Sequence, residues 1–441
     1  MKSKDISQTF ALQERAKVRI PGLSQLLSKR PDRFSYGVWP GYFSRAEGAR
    51  VWDMDGNEYV DMSIGGIGAT VLGYQDPDVD AAVHEAISRG VASSLNCPEE
   101  VELADLLCEL HPWADMVRFG RSGGEALAIA VRIARAATGR DKVAFCGYHG
   151  WHDWYLAANL GTENALGEHL ISGLDPAGVP KALAGTALPF SYNDADSLAS
   201  IVNNHGHELA AVIMEPIRSS LPEAGFLNRV CELTESCGAV LIADEVSAGF
   251  RLTCGGAHMV LGFEPDLAVF SKALGNGYPV SAVIGRAGVM EAAQKSFISS
   301  TNWTDRIGSV AALAMIRKFR REKAHTQLIA SGESIQRGWQ QLGQRHGIGV
   351  NVGGIAPLSH FAFELPNPLE AKAYYVQLML DQGFLASTIF YSMYAHTRAN
   401  VEAYLVAADL AFSEIARAAK AEGISERLRG EPSASGFKRL A

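Results

Sequence analysis

The strongest constraint on how this chain folds is an alternation in its middle, where short apolar runs are separated by stretches of helical character. Met116-Val-Arg-Phe119 reads as a strand. Glu125 to Ala137 reads as a helix, because Leu127, Ile129, Ala130, Ile133, Ala134 and Ala137 recur at roughly helical spacing. Lys142 to Cys146, Leu209 to Met214, Ala239 to Ala243 and Leu267 to Phe270 read as further strands, with a helix over Leu227 to Ser236 between two of them. Runs this apolar have no face to offer water, so they belong in a mostly parallel sheet covered on both faces. Ligands then gather at the carboxyl ends of the strands, and the residues just beyond each run become the candidates for function.

The two ends of the chain read differently. Arg50 to Asp61 alternates polar and apolar residues around Asp55-Gly56-Asn57, a hairpin signal. Short strands near Ser359 to Phe363 and a helix from Arg398 to about Ala419 point to a smaller α+β unit. We therefore expect an α/β protein of two domains: a large domain over 81–320, and a small α+β domain built from both chain ends, 1–80 and 321–441. A length of 441 residues suffices for both.

Charge and cysteine usage narrow the partners. The net charge is −8 and no block of basic residues occurs, which argues against binding nucleic acid and for small molecules. The first twenty residues mix charges without an apolar signal core, and the longest apolar runs are too short to span a bilayer, so a cytoplasmic protein without membrane contact is expected. Six scattered cysteines without a Cys-x-x-Cys pair fit reduced thiols, and no structural metal is expected.

Four strand ends carry chemistry. Ser122-Gly123-Gly124 opens a helix: the serine suits a cap, the glycines allow close approach, and free amides at the positive end of the helix attract a phosphate. A plain capped turn has the same sequence. Tyr148-His-Gly-Trp151-His152-Asp153 follows the next strand, and Tyr148 or Trp151 can stack on a flat ring, or simply cover the core. Asp244 and Glu245 close a strand of apolar residues, where a carboxylate needs a cationic partner such as a protonated pyridine nitrogen, and Glu215-Pro216 repeats the arrangement in a supporting position. Lys272 stands at the end of Leu267 to Phe270, before the turn-rich apolar Ala-Leu-Gly-Asn-Gly-Tyr-Pro. Burying its charge is costly unless it is neutralised. Pyridoxal 5'-phosphate asks for these four parts, a phosphate cradle, an aromatic plate, an acid for its ring nitrogen and a lysine for its aldehyde. Joined to the cofactor as a Schiff base, Lys272 loses its charge, and once freed its amine becomes a base for the substrate proton.

With those residues in place the chain resembles a class III (omega-type) aminotransferase of the fold-type I pyridoxal-phosphate enzymes, and within that class the glutamate-1-semialdehyde aminomutase branch. The resemblance runs from about Tyr42 to Phe412 through "YFSRAEGARVWDMDGNEYVDM", "SGGEALAIAVRIARAATGR", "YHGWHD", "MEP", "LIADEVSAGFR" and "SKALGNGYP". It implies that Lys272 is the Schiff-base lysine, that Asp244 pairs with the pyridinium nitrogen, that Val246 packs on the ring face opposite Tyr148, and that Gly123 and Gly124 hold the phosphate through their amides. It also implies a homodimer with active sites at the subunit interface. A threonine of the neighbouring subunit completes the phosphate site; in "SSTNWTDRIG" this is Thr301, or Asn302 or Thr304 under a different gap.

The departures bear on substrate. "STIFYSMYAHT" lacks the arginine with which many class III enzymes grip an α-carboxylate, and "FSYGVWPGYF" lacks the one expected for glutamate semialdehyde. Arg121 and Gly124 replace the usual Asn and Thr of the phosphate loop, and Ser247 follows Asp-Glu-Val. The expected activity is transfer of an amino group from glutamate or glutamine to an aldehyde or ketone, with a sugar-like acceptor; an aminomutase, epimerase or racemase is the alternative. The long segment Gly161 to Gly185 reads as a lid or as a passive surface loop.

Overall fold

The computed structural model describes residues 4–421 and 423–436. The chain divides into two compact units, Pro77–His325 and the combination of Met1–Asp76 with Thr326–Ala441.

Pro77–His325 is built on a seven-stranded sheet. Its strands are β1 (Met116–Gly120), β2 (Lys142–Cys146), β3 (Ala187–Pro189), β4 (Leu209–Met214), β5 (Val240–Asp244), β6 (Leu267–Phe270) and β7 (Ser281–Gly285), in the spatial order β1-β7-β6-β5-β4-β2-β3. All neighbours from β6 to β3 pair in parallel, while β7 is antiparallel to both β6 and β1. Every residue of β4, β5, β6 and β7 is buried, which is why these strands read as unbroken apolar runs rather than alternating ones. β7 is a strand the sequence reading did not separate from the Lys272 loop, and it inserts between β1 and β6.

Helix α1 (Gly123–Thr138) packs its apolar stripe on this sheet. It buries Ala126, Leu127, Ile129, Ala130, Val131, Ile133 and Ala134, and both its ends are specified locally: a Ser122/Glu125 capping box starts it and Gly139, at φ 70°, ends it in the left-handed conformation. The segment from Gly161 to Gly185 is folded against the same core, since Leu166 and Val179 are buried in it and Asn159 pins its turns by accepting from Leu166 N and donating to Leu174 O.

The other unit contains two sheets. In one, Phe43–Glu47, Arg50–Asp53 and Glu58–Met62 form an antiparallel meander, to which Phe384–Ala386 adds in parallel beside Glu58–Met62. The second is antiparallel, with Leu358–Phe363 between Val350–Gly353 and Ile389–Tyr391. An aromatic core of Trp339, Phe361, Phe363, Tyr375 and Phe412 fills this unit. The hairpin residue Asp55 also starts the helix Ser7–Arg19, accepting from Gln8 N at 2.8 Å and Thr9 N at 3.0 Å. Among the described residues no helix is long and apolar enough to cross a membrane.

Candidate active site

The parallel pairing of β2, β4, β5 and β6 puts the residues that follow them on one edge of the sheet, and β1 points the same way because β7 is antiparallel to both of its neighbours. Ser122, Tyr148, Glu215, Asp244 and Lys272 all stand at that edge.

Asp244 ends β5 and is 2% exposed. Its Oδ1 accepts from Val246 N at 3.0 Å and its Oδ2 lies 2.7 Å from Nδ1 of the fully buried His149. A carboxylate can only accept, so Nδ1 carries the proton of this pair. Nε2 of the same ring is buried without a hydrogen-bond partner among the described residues. Glu245 takes no part in this arrangement: its carboxylate binds the amides of Ala257 and His258 and the His258 ring, fixing the turn beneath.

Glu215, just past β4, accepts from Tyr148 N at 3.0 Å and lies 3.5 Å from the Arg218 guanidinium. Burial, and after it the charge of Asp244, raises its pKa above the ordinary carboxylate value. Gly147, at φ 123°, makes this contact available, since a Cβ there would stand 2.6 Å from Glu215 Oε2. Of the two candidate stacking rings, Tyr148 is the one near the carboxylates: its pKa is raised by burial and then by Asp244 and Glu215. Trp151 is 69% exposed and stacks instead on His152, with ring centroids 4.6 Å apart.

Lys272 adopts φ 45°, a left-handed conformation that a non-glycine residue occupies at a cost. Its amine donates to Ser247 Oγ at 2.6 Å, and among the described residues no carboxylate pairs with it. Burial pushes its pKa below the usual lysine value, opposed by the charges of Glu215 and Asp244 and reinforced by Arg251. The structure thus holds a partly buried lysine whose proton is bound less tightly than that of a solvated one.

The turn before α1 is tightly enclosed. A Cβ on Gly123 would come within 2.8 Å of Val246 Cγ1, and one on Gly150 within 2.7 Å of Gly124 Cα. Arg121 is turned away and bound to Asp305 at 2.5 Å. Thr301 is exposed in the turn Thr301–Thr304, as are Asn302 and Thr304, and among the described residues no hydrogen bond joins it to Ser122, Gly123 or Gly124. The edge therefore brings together Ser122, Gly123, Gly124, Tyr148, Glu215, Asp244, Val246 and Lys272 and leaves Thr301 outside. The sequence reading assigned no role to His149 or Arg218 and no Lys272 contact to Ser247; the signals visible for these were His149 inside the Tyr148 motif and Ser247 as a departure after Asp-Glu-Val.

Residues 35–401 match the family described as Aminotransferase class-III. The chain belongs to that family. It is 35% identical over 413 residues to a glutamate-1-semialdehyde 2,1-aminomutase of Chloroflexus aurantiacus (strain ATCC 29366 / DSM 635 / J-10-fl), covering 87% of this chain and 92% of that one. It is 31% identical over 377 residues to the 2'-deamino-2'-hydroxyneamine transaminase of Streptomyces kanamyceticus, covering 85% and 91%. Among solved structures, the PLP internal aldimine form of the FumI protein of Sphingopyxis sp. MTA144 superposes with a TM-score of 0.85 at 28% identity, covering 97% of this chain and 99% of that one. This class III aminotransferase is thus an enzyme with the α/β fold of the fold-type I transaminases, and its cofactor is pyridoxal 5'-phosphate. The site suits that group: an α1 N-terminus closed to any side chain at Gly123, a buried carboxylate held by His149, and a partly buried lysine without an ionic partner among the described residues.

Proposed function

We propose that this aminotransferase moves an amino group from glutamate or glutamine to an aldehyde or ketone, with a hydroxyl-bearing, sugar-like carbonyl as acceptor. The observation that carries the reading is Lys272, partly buried, paired with a neutral hydroxyl and held below its usual pKa. A lowered pKa moves the amine towards the neutral form that a nucleophile and a base require. When bound, the cofactor supplies the electron sink that makes the substrate carbon acidic.

The chain's own residues do the rest. Lys272 takes the proton from the substrate carbon and returns it. Asp244, fixed by His149, would face the ring nitrogen, and a second, partly buried acid, Glu215, binds the backbone of Tyr148, whose ring would cover one cofactor face with Val246 on the other. The amides of Gly123 and Gly124, at the positive end of a 16-residue helix capped by Ser122, receive the phosphate. We assign the chain to a homodimer in which Thr301 of one copy reaches the phosphate turn of the other; its exposure, and the lack among the described residues of any hydrogen bond from it to Ser122, Gly123 or Gly124 of its own copy, support this.

The acceptor class rests on the missing arginines of "FSYGVWPGYF" and "STIFYSMYAHT" and on a relative named for a hydroxyl-bearing compound. The 35% identity to an aminomutase favours a second reading, isomerisation at the same lysine. One experiment separates them. Mixed with L-glutamate alone, the enzyme should lose the visible absorbance of its bound cofactor and release stoichiometric 2-oxoglutarate; Lys272→Ala should do neither, with turnover down by at least about a thousandfold. An active Lys272→Ala enzyme overturns the role of Lys272. An isomerised substrate with no keto acid from any donor, glutamine and amino sugars included, establishes the second reading.

A further inference from the structure

Ser247 occupies a place that the reaction as described does not use. It lies in the tight turn after β5, where Gly249 N bonds Glu245 O at 2.8 Å and the buried Arg251 donates from Nε to the Ser247 carbonyl. A Cβ on Gly249 would strike Glu245 O at 2.7 Å and the Phe270 ring at 2.8 Å, so this turn is packed too closely for any side chain there. On the other side, Lys272 stands at the start of a 3-10 turn, Lys272–Gly275, fastened by Leu274 N to Ser271 O and by Ser271 Oγ to Val280 O. Two hydrogen-bonded turns from different strands therefore aim one hydroxyl and one amine at each other, 2.6 Å apart.

We propose that Ser247 is a positioning residue for Lys272, holding the free amine at one place between its departure from the cofactor and its return, and favouring its proton-bearing form while it waits. The inference rests on Lys272 being the cofactor lysine. A lysine stem rotates freely unless its head is bonded, and proton transfer needs the base within hydrogen-bond reach of its target. A hydroxyl suits the task because it accepts from an ammonium yet can turn and donate to a neutral amine, so it follows the amine through both protonation states. A carboxylate in its place would hold the ammonium as a salt bridge and quench the base. The charged groups that act on this amine are Glu215 and Asp244, which favour its proton, and Arg251, which opposes it. Ser247 adds the only side-chain hydrogen bond to Nζ among the described residues.

The test uses the full chain freed of cofactor. Competitive acetylation across a pH series, read peptide by peptide by mass spectrometry, gives the protonation midpoint of Lys272. A bond to the charged form is stronger than one to the neutral form, so Ser247→Val and Ser247→Ala should each lower that midpoint by about one pH unit, a tenfold loss of proton affinity. Ser247→Thr, which has the shape of Val and keeps the oxygen, should restore it. The same ordering should appear in the acid limb of the kcat profile of the holoenzyme. Borohydride reduction of each holoenzyme identifies the lysine that carries the cofactor. A tag on Lys272 with the Val, Ala and Thr variants all titrating like the parent overturns the role of Ser247 alone; a tag on another lysine removes the reading of Lys272 and this inference with it.

Discussion

Three histidines away from the Lys272 amine are denied a proton by the fold. Burial is the first cause in each case: His111, His169 and His396 all have pKa values lowered to about 4, with Arg218 adding its charge against His169. His396 shows the arrangement, with Nδ1 accepting from Met393 N at 2.9 Å and Nε2 facing Asp61 O at 2.7 Å, a pattern that a neutral ring satisfies. In the unfolded chain each would take its proton near pH 6.5, so between that value and about 4 the unfolded state binds protons that the native state does not. Their contribution is fully present above pH 6.5 and is lost as pH falls, by up to about 1.4 kcal/mol per pH unit for each ring. Urea midpoints should therefore fall between pH 7 and pH 5, and His396→Gln should flatten the slope by one proton; midpoints that hold steady or rise on acidification would contradict this. At this scale the sequence was legible where a charge ended an apolar run, as at Lys272, Asp244 and Glu215. It was illegible where a side chain takes its meaning from a distant one: His149 meets Asp244 95 positions away, and Ser247 meets Lys272 25 positions away.

Among the elements, α1 was readable almost to its ends, because the spacing of its apolar residues, the serine cap and Gly139 act within a few residues of one another. β7 was not, since Ser281–Gly285 is short and follows a loop whose glycines and proline mask it; only its antiparallel partners β1 and β6 define it. The start of α1 also carries a prediction with two opposed terms. Gly123→Ala gains helix propensity, about 1 kcal/mol at most. It also drives a methyl to 2.8 Å from Val246, an overpacking that costs about 1–3 kcal/mol. The clash should prevail, loosening cofactor binding about tenfold in equilibrium dialysis. Gly123→Ala combined with Val246→Ala should recover most of that loss. Recovery separates crowding from damage to the amide itself; a double variant as weak as the single one would refute the steric account.

In the molecule as a whole, Pro77–His325 is one continuous stretch set inside a unit made from residues on either side of it. Composition suggested two domains, and the hairpin around Asp55-Gly56-Asn57 suggested that the N-terminal part is β-rich, yet nothing local says that Phe384–Ala386 will lie parallel to Glu58–Met62. Parallel neighbours need no turn between them, so no turn signal can announce them. Ser63 and Ser387, 324 positions apart, share a 3.0 Å hydrogen bond in this sheet. That bond sets a clock on synthesis. At roughly 5–20 residues per second, a ribosome needs about a quarter of a minute to a minute to pass from one serine to the other. Throughout that wait the meander Phe43–Glu47, Arg50–Asp53 and Glu58–Met62 keeps one edge open, while Pro77–His325 has every strand it requires once residue 325 is made. Ribosome-bound chains stalled near residue 360 should therefore yield a protease-resistant core over Pro77–His325 and an N-terminal part that is cut, and equal protection of both would show that the early segment finds shelter before its partner strand is made. The newborn chain carries its exposed edge from the start of translation almost to the end, which makes this stretch the natural client for a chaperone waiting at the exit tunnel.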